Sequence, residues 1–153
     1  MVTILARESI SSIWDEAIPL AVENHKEAGA LFEDDFNPKL GPYKALEDLG
    51  MLKAFSARDG AILVGYAVIL VSPSHLHYPK TCWGMQDVMY LKPDHRGIVA
   101  AKFIIHQDVA LRSDGIDLVY RHTTLHKDYS RLLVRLGYRA EEVRYFKDLR
   151  EVA

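Results

Sequence analysis

Between Asp87 and Ala101 the chain sets out a carboxylate, a run of strand-forming residues ending at Leu91, a stop at Pro93 and the pair Arg96-Gly97, followed at once by a helical pattern that opens on small residues, Ala100 and Ala101. The first amides of a helix have no partners inside it, and the aligned peptide dipoles place positive potential there. Such a turn is an anion cradle and suits a diphosphate, which small residues in the first turn let approach closely. Charge along the chain is asymmetric: residues 8–35 carry eight acidic side chains against Lys26, a net −7, whereas residues 92–150 sum to +4. Two solvated helix faces give the same sums; the functional reading has the acidic end attract a cation and the basic end meet an anion. His75 with His77 and His122 with His126 have spacings that zinc accepts, but no HExxH core joins them, so no metal is expected. Cys82, beside Trp83 in a predicted strand, fits an inert, buried thiol.

These residues need elements to hold them. A short strand over 2–6 is followed by Ile10, Ile13, Trp14, Ala17, Ile18, Ala21 and Val22, whose spacing predicts a helix over 9–28 with Ser12 as a cap and a kink or restart at Pro19. A loop around Phe32–Phe36 precedes a short helix over 43–49 that ends at Gly50. Residues 52–58 and 61–71 flank Asp59-Gly60, which predicts a tight hairpin, and the second strand is apolar on both faces, as a central strand is. A strand over 81–91, a helix over 97–111 and a buried strand from Ile116 form a β-α-β unit. A last helix over 127–136 stops at Gly137, and residues 138–149 alternate as a final strand. The order predicts an α/β or α+β domain with one mixed sheet.

Length and composition bound the function. With 153 residues, 49% hydrophobic and 26% charged, the chain encloses one core and reads as one domain, 1–153. A net charge of −2 gives no field for general nucleic-acid binding. The single cysteine suits a reducing compartment, and no apolar run reaches the length of a membrane span. A cytoplasmic protein is expected.

Arg96 with Gly97, Ile98, Val99, Ala100 and Ala101 resembles the acetyl-CoA pyrophosphate loop of the GNAT N-acetyltransferase family: arginine or glutamine, two residues, glycine, one residue, then glycine or alanine. Val99 stands at the family's middle glycine. Leu136-Gly137-Tyr138 and the ending Tyr145-Phe146-Lys147-Asp148-Leu149 resemble the family's C-terminal pattern. Pro19-Leu20 with Glu27, the hairpin with Gly65-Tyr66, and His77-Tyr78 ahead of Asp87 and Tyr90 are similar to GNAT proteins carried by tailed bacteriophages, which implies a host cytoplasm.

The resemblance implies a central mixed sheet flanked by about four helices, with the fourth and fifth strands (81–91 and 116–123) splayed around acetyl-CoA. Met89, Tyr90 and Leu91 then face the pantetheine arm through their backbone. The amides from Arg96 to Ala101 hold the pyrophosphate, with a charge-assisted bond from Arg96. Asp87 is the implied base or amine anchor, directly or through water, and His77 the next candidate base. Leu133 occupies the position where many members carry a tyrosine acid, which leaves Tyr129, one turn earlier, as the candidate acid. Glu33, Asp34 and Asp35 are expected on the substrate side, favouring a protein lysine, a protein N-terminus or a small cationic amine. The expected activity is acetyl transfer from acetyl-CoA to a primary amine, by a monomer or a homodimer. Val99 and Leu133 favour a second reading, a GNAT-fold protein that has lost catalysis and docks a host or phage protein.

Overall fold

The computed structural model describes residues 3–29 and 36–150, and in it the predicted hairpin becomes the centre of a five-stranded sheet. β1 (Thr3–Arg7), β2 (Leu52–Asp59), β3 (Ile62–Ser72) and β4 (Trp83–Leu91) pair antiparallel in that order. β5 (Leu118–Tyr120) joins β4 in parallel at the far edge. Gly60 makes the β2–β3 turn with φ 60°, a backbone region L side chains rarely adopt. β3 sits between two partners and is buried on both faces, as its unbroken apolar run requires.

Two helical layers cover the sheet. On one face α1 (Ile10–Ala28) lays Ile10, Ile13, Ala17 and Leu20 onto Leu52, Ala54, Tyr66, Val68 and Tyr90, beside α2 (Leu40–Asp48). On the other, α3 (Ile98–Ser113) sets Phe103 and Leu111 against Phe55, Ala57, Ala67 and Ile69. Burying each such large side chain is worth about 1.5–3 kcal/mol, so the helices are held by their stripes rather than by propensity. α4 (Ser130–Arg135) is short and contributes Leu133 to the interior.

Several expectations change. The α1 cap is Ser9, whose hydroxyl accepts the Ser12 N–H at 3.2 Å, and Glu47 of α2 accepts the Ile10 N–H at 2.8 Å. α1 runs through Pro19 without a restart, because the carbonyl that Pro19 frees belongs to exposed Asp15 and water can satisfy it. α2 begins at Leu40, so Gly41-Pro42 lies in its first turn, where proline's missing N–H costs nothing. Residues 138–149 form no strand. Val143, Tyr145, Phe146 and Leu149 are exposed, and β5, at three residues, offers too short an edge to pair with them.

Arg121 follows β5 directly, and its side chain is fully buried. It donates to Asp108 Oδ1 (2.7 Å) and Gln107 Oε1 (2.9 Å) on α3, to the Tyr138 hydroxyl (2.7 Å) and to Gln86 Oε1 on β4 (3.4 Å). Asp108→Ala removes the only carboxylate paired with this guanidinium among the described residues. Urea denaturation of that variant is expected to show a loss of about 3 kcal/mol, as for other broken buried pairs; a loss under about 1 kcal/mol would contradict the anchoring role.

Candidate functional site

The site begins where a ladder stops. β4 and β5 pair at Trp83 with Leu118, Gly84 with Val119 and Met85 with Tyr120; past this point β4 continues to Leu91 while β5 ends at Tyr120. β4 also changes register against β3: Val88 faces Val68 and Gln86 faces Ile69, which leaves Asp87 as a bulged residue. The extra residue puts Asp87 and Val88 on the same face, and both line a cavity of about 300 Å³ walled by α1 and by Phe36, Pro38 and Tyr43. Gln86 is thereby turned to the other face, where it meets Arg121.

Within the cavity the Tyr43 hydroxyl donates to Asp87 Oδ2 at 3.3 Å. The Asp87 side chain is accessible from the cavity mouth, yet enough protein surrounds it that burial raises its pKa above the ordinary carboxylate value. The Tyr43 hydrogen bond and nearby His122 offset part of that rise. Burial and the facing carboxylate push Tyr43 up to about 12, so it stays a donor. Burial holds His122 below the usual imidazole value, reinforced by Arg144 and opposed by Asp87. A carboxylate held by a neutral phenol and bordered by an uncharged imidazole can anchor an ammonium and accept its proton.

On the other side of β4 lies the predicted cradle. Gly97 caps α3 with φ 79° and nothing stands within 4 Å of where a Cβ would be, so the turn opens on free space. The first helical bond runs from the Ala101 N–H to the Gly97 carbonyl at 3.4 Å, so the amides of Ile98, Val99 and Ala100 precede the ladder. The Val99 and Ala100 side chains pack inward against the core. A diphosphate therefore fits the backbone here. Arg96 is already engaged: its Nη2 donates to Glu27 at 2.6 Å and its Nε to the Leu91 carbonyl at 2.9 Å. Tyr90 is buried and donates to Glu23 at 2.8 Å. The Met89 carbonyl accepts from Lys127 Nζ (3.2 Å), which also donates to Asn24 (2.8 Å) and lies 4.8 Å from the Tyr90 ring centre.

The remaining sequence candidates fall elsewhere. His77 is exposed in the β3–β4 connection, among His75, Tyr78 and the Trp83 side, and does not line the Asp87 cavity. The Tyr129 hydroxyl donates to the His122 carbonyl (2.9 Å) and accepts from Gln86 Nε2 (2.9 Å), while the hydroxyl that bonds Asp87 is that of Tyr43. Leu133 is buried, as a core residue. Glu33, Asp34 and Asp35 lie outside the described residues. Among the described residues no three His, Cys, Asp or Glu side chains gather as a metal site. Tyr43 and Lys127 are the site residues that sequence reasoning passed over. Tyr43 had only the helix-start pattern to mark it, and Lys127 looks like one of several charged residues ahead of a helix.

No family model matches the chain, and no curated protein does. Solved structures do. An aminoglycoside acetyltransferase from an uncultured soil metagenomic sample, in complex with sisomicin, superposes with a TM-score of 0.74 at 14% identity over 96% of both chains. A ribosomal-protein-alanine N-acetyltransferase from Brucella melitensis gives 0.73 at 16% identity over 97% of this chain and 100% of the other. A predicted acetyltransferase from Clostridium acetobutylicum, solved with acetyl-CoA, gives 0.67 at 13% identity over 99% of each. The mixed five-stranded sheet with four helices is thus the fold of GNAT acetyltransferases.

Lys127 supplies a direct test of this geometry. Burial, with Arg96 adding to it and Glu27 opposing, brings its pKa from 10.5 down to about 8. Between those values the folded chain binds fewer protons at this site than the unfolded chain, so Lys127 adds stability as pH rises through the window. A titration of isotopically labelled lysines followed by NMR should show one midpoint near 8 that is missing in Lys127→Met. A midpoint for Lys127 alongside the exposed lysines would refute its burial against β4.

Proposed function

We propose that this chain transfers an acetyl group from acetyl-CoA to a primary amine. The observation that carries the reading is the placement of a bulged, cavity-lining Asp87 and an open helix N-terminus, Gly97–Ala100, at successive points along one strand and its exit turn. When bound, acetyl-CoA supplies an acyl carbon activated as a thioester and a thiolate leaving group. The amides of Ile98, Val99 and Ala100 would hold its diphosphate, and the backbone of Met89, Tyr90 and Leu91 would line the arm. Arg96 serves that loop by bracing it through Glu27 and the Leu91 carbonyl. Support for the donor comes from the fold shared with an acetyltransferase solved with acetyl-CoA.

Asp87 anchors the incoming ammonium and takes its proton, directly or through a water, while Tyr43 keeps the carboxylate oriented. The amine nitrogen then forms its bond to the acyl carbon as the carbon–sulfur bond breaks, and the second proton that the nitrogen must lose to become an amide passes to solvent. Tyr129 is already committed to the His122 carbonyl, so in this reading the thiolate takes its proton from solvent. The likeness to phage-carried GNAT proteins, with its implied host cytoplasm, rests on the sequence motifs alone. No helix among the described residues is long and apolar enough to cross a membrane.

Calorimetry with acetyl-CoA and a thiol-release assay over a panel of amines test the proposal together. Asp87→Asn should lower kcat/KM by roughly 10²- to 10⁴-fold and leave acetyl-CoA affinity in place. The wild-type acidic limb should lie above the ordinary carboxylate value of 3.8, the direction burial imposes, and vanish in the variant. No binding at millimolar acetyl-CoA would sink the proposal. Binding without turnover of any amine or lysate protein would favour instead the non-catalytic docking protein.

A further inference from the structure

We infer that Lys127 is a latch on the open stretch of β4: its ammonium holds the Met89 carbonyl that the acetyl-CoA arm needs, so the arm enters only as Lys127 leaves. The inference rests on the acetyl-transfer reading, in which the backbone of Met89, Tyr90 and Leu91 lines the arm, and it concerns what the free chain keeps in that slot. The β4–β5 ladder has ended at Met85, and further along β4 the Met89 carbonyl accepts from Lys127 Nζ at 3.2 Å. The same ammonium donates to Asn24 Oδ1 on α1 at 2.8 Å and lies 4.8 Å from the centre of the Tyr90 ring. One side chain from the β5–α4 connection thus ties β4 to α1 across the slot.

These contacts are easily exchanged. Both hydrogen bonds described at the ammonium go to neutral acceptors, and the one to Met89 stands at the long end of the N–H···O range. A half-buried ammonium held by neutral groups recovers only part of the hydration it gives up. An amide N–H of the arm satisfies the same carbonyl without bringing a charge into the slot. The backbone need not follow, because the Lys127 N–H is fixed to the Thr124 carbonyl (3.2 Å) and Oγ1 (3.0 Å), and the flexible four-carbon stem swings alone.

The charged groups around the ammonium come from three elements. On α1, Glu27 acts on it through space while accepting Arg96 at 2.6 Å, and Glu23 accepts the Tyr90 hydroxyl of β4 at 2.8 Å. Arg96 approaches from the exit turn of β4, and His126, next in sequence, lies beside Gly29 at the end of α1. Burial and Arg96 outweigh Glu27, so the latched ammonium titrates near 8, and release into solvent returns it to the ordinary 10.5. Arm binding therefore leaves a proton-linked signature at this one lysine.

The test follows labelled lysines by NMR in the free chain, with saturating acetyl-CoA and no amine, and with 3′-phospho-ADP, which keeps the phosphates but lacks the arm. Acetyl-CoA should move the Lys127 midpoint from near 8 to that of the exposed lysines, and the armless nucleotide should leave it near 8. Calorimetry near neutral pH should show Lys127→Met binding acetyl-CoA several-fold more tightly than the wild type, with its affinity for 3′-phospho-ADP unchanged. An acetyl-CoA complex that keeps the midpoint near 8, or an armless nucleotide that moves it as far as acetyl-CoA does, overturns the latch and leaves acetyl transfer intact. Equal or weaker acetyl-CoA binding by Lys127→Met does the same, the weaker case making Lys127 a ligand of the cofactor. No binding of acetyl-CoA overturns both.

Discussion

A guanidinium with no exposed surface sits where the sheet opens. Parallel strands that begin to pair tend to continue, since each further residue adds ladder bonds at little extra cost. Here pairing ends after Met85 and Tyr120, and the next residue, Arg121, sends its side chain to β4, α3 and Tyr138 at once. Such a buried charge is tolerable only because nearly all its donors are answered, by Asp108, Gln107, Gln86 and Tyr138. Beyond the ladder the Met89 carbonyl has Lys127 Nζ as its partner rather than a β5 amide. Arg121 thus stands where the β4–β5 ladder ends, while the exit turn into α3 is braced separately by Arg96 through Glu27 and the Leu91 carbonyl.

The net −7 of residues 8–35 takes a different meaning in the folded chain. Glu8 and Glu16 both bind Arg58 on β2, Glu23 accepts the Tyr90 hydroxyl and Glu27 pairs with Arg96. These carboxylates fasten α1 to the sheet and to the turn before α3, so they do not form a free field for a cation. Among the described residues the negative charge that reaches the cavity is Asp87, contributed by a strand whose own neighbourhood in sequence is not acidic. Four of the eight carboxylates behind the sum are fastening, and three others, Glu33, Asp34 and Asp35, lie outside the described residues.

Local chemistry was legible and register was not. Asp59-Gly60 announces its hairpin because the turn needs only its own dihedrals, and the α1 stripe announces its helix because the period lies within one segment. Asp87 stood out as a carboxylate on the fourth strand, yet its bulge depends on how Val68 and Ile69 line up opposite, which no single segment records. Tyr43 and Lys127 became site residues only when α2 and the β5–α4 connection were brought beside β4. Residues 138–149 failed in the opposite sense: their alternation is local and clear, but a strand needs an edge, and β5 is three residues long.

Two departures from the GNAT pattern weigh unequally once the geometry is known. Val99 replaces a glycine, but its side chain packs toward the core with Ala100, so the amides ahead of the α3 ladder remain available. Backbone recognition is indifferent to a side chain that points away. Leu133 replaces a tyrosine and is buried in the core, and the Tyr129 hydroxyl one turn earlier bonds the His122 carbonyl. A thiol is itself acidic, with an ordinary pKa of about 8.5, so its anion leaves near neutral pH with little help. An alkyl ammonium, at about 10.4 for a lysine-like amine, is almost wholly protonated there and cannot attack until it gives up its proton. In the acetyl-transfer reading the chemistry therefore asks more of a base than of an acid, which accords with an Asp87 carboxylate on the bulge and a leucine in the core at position 133.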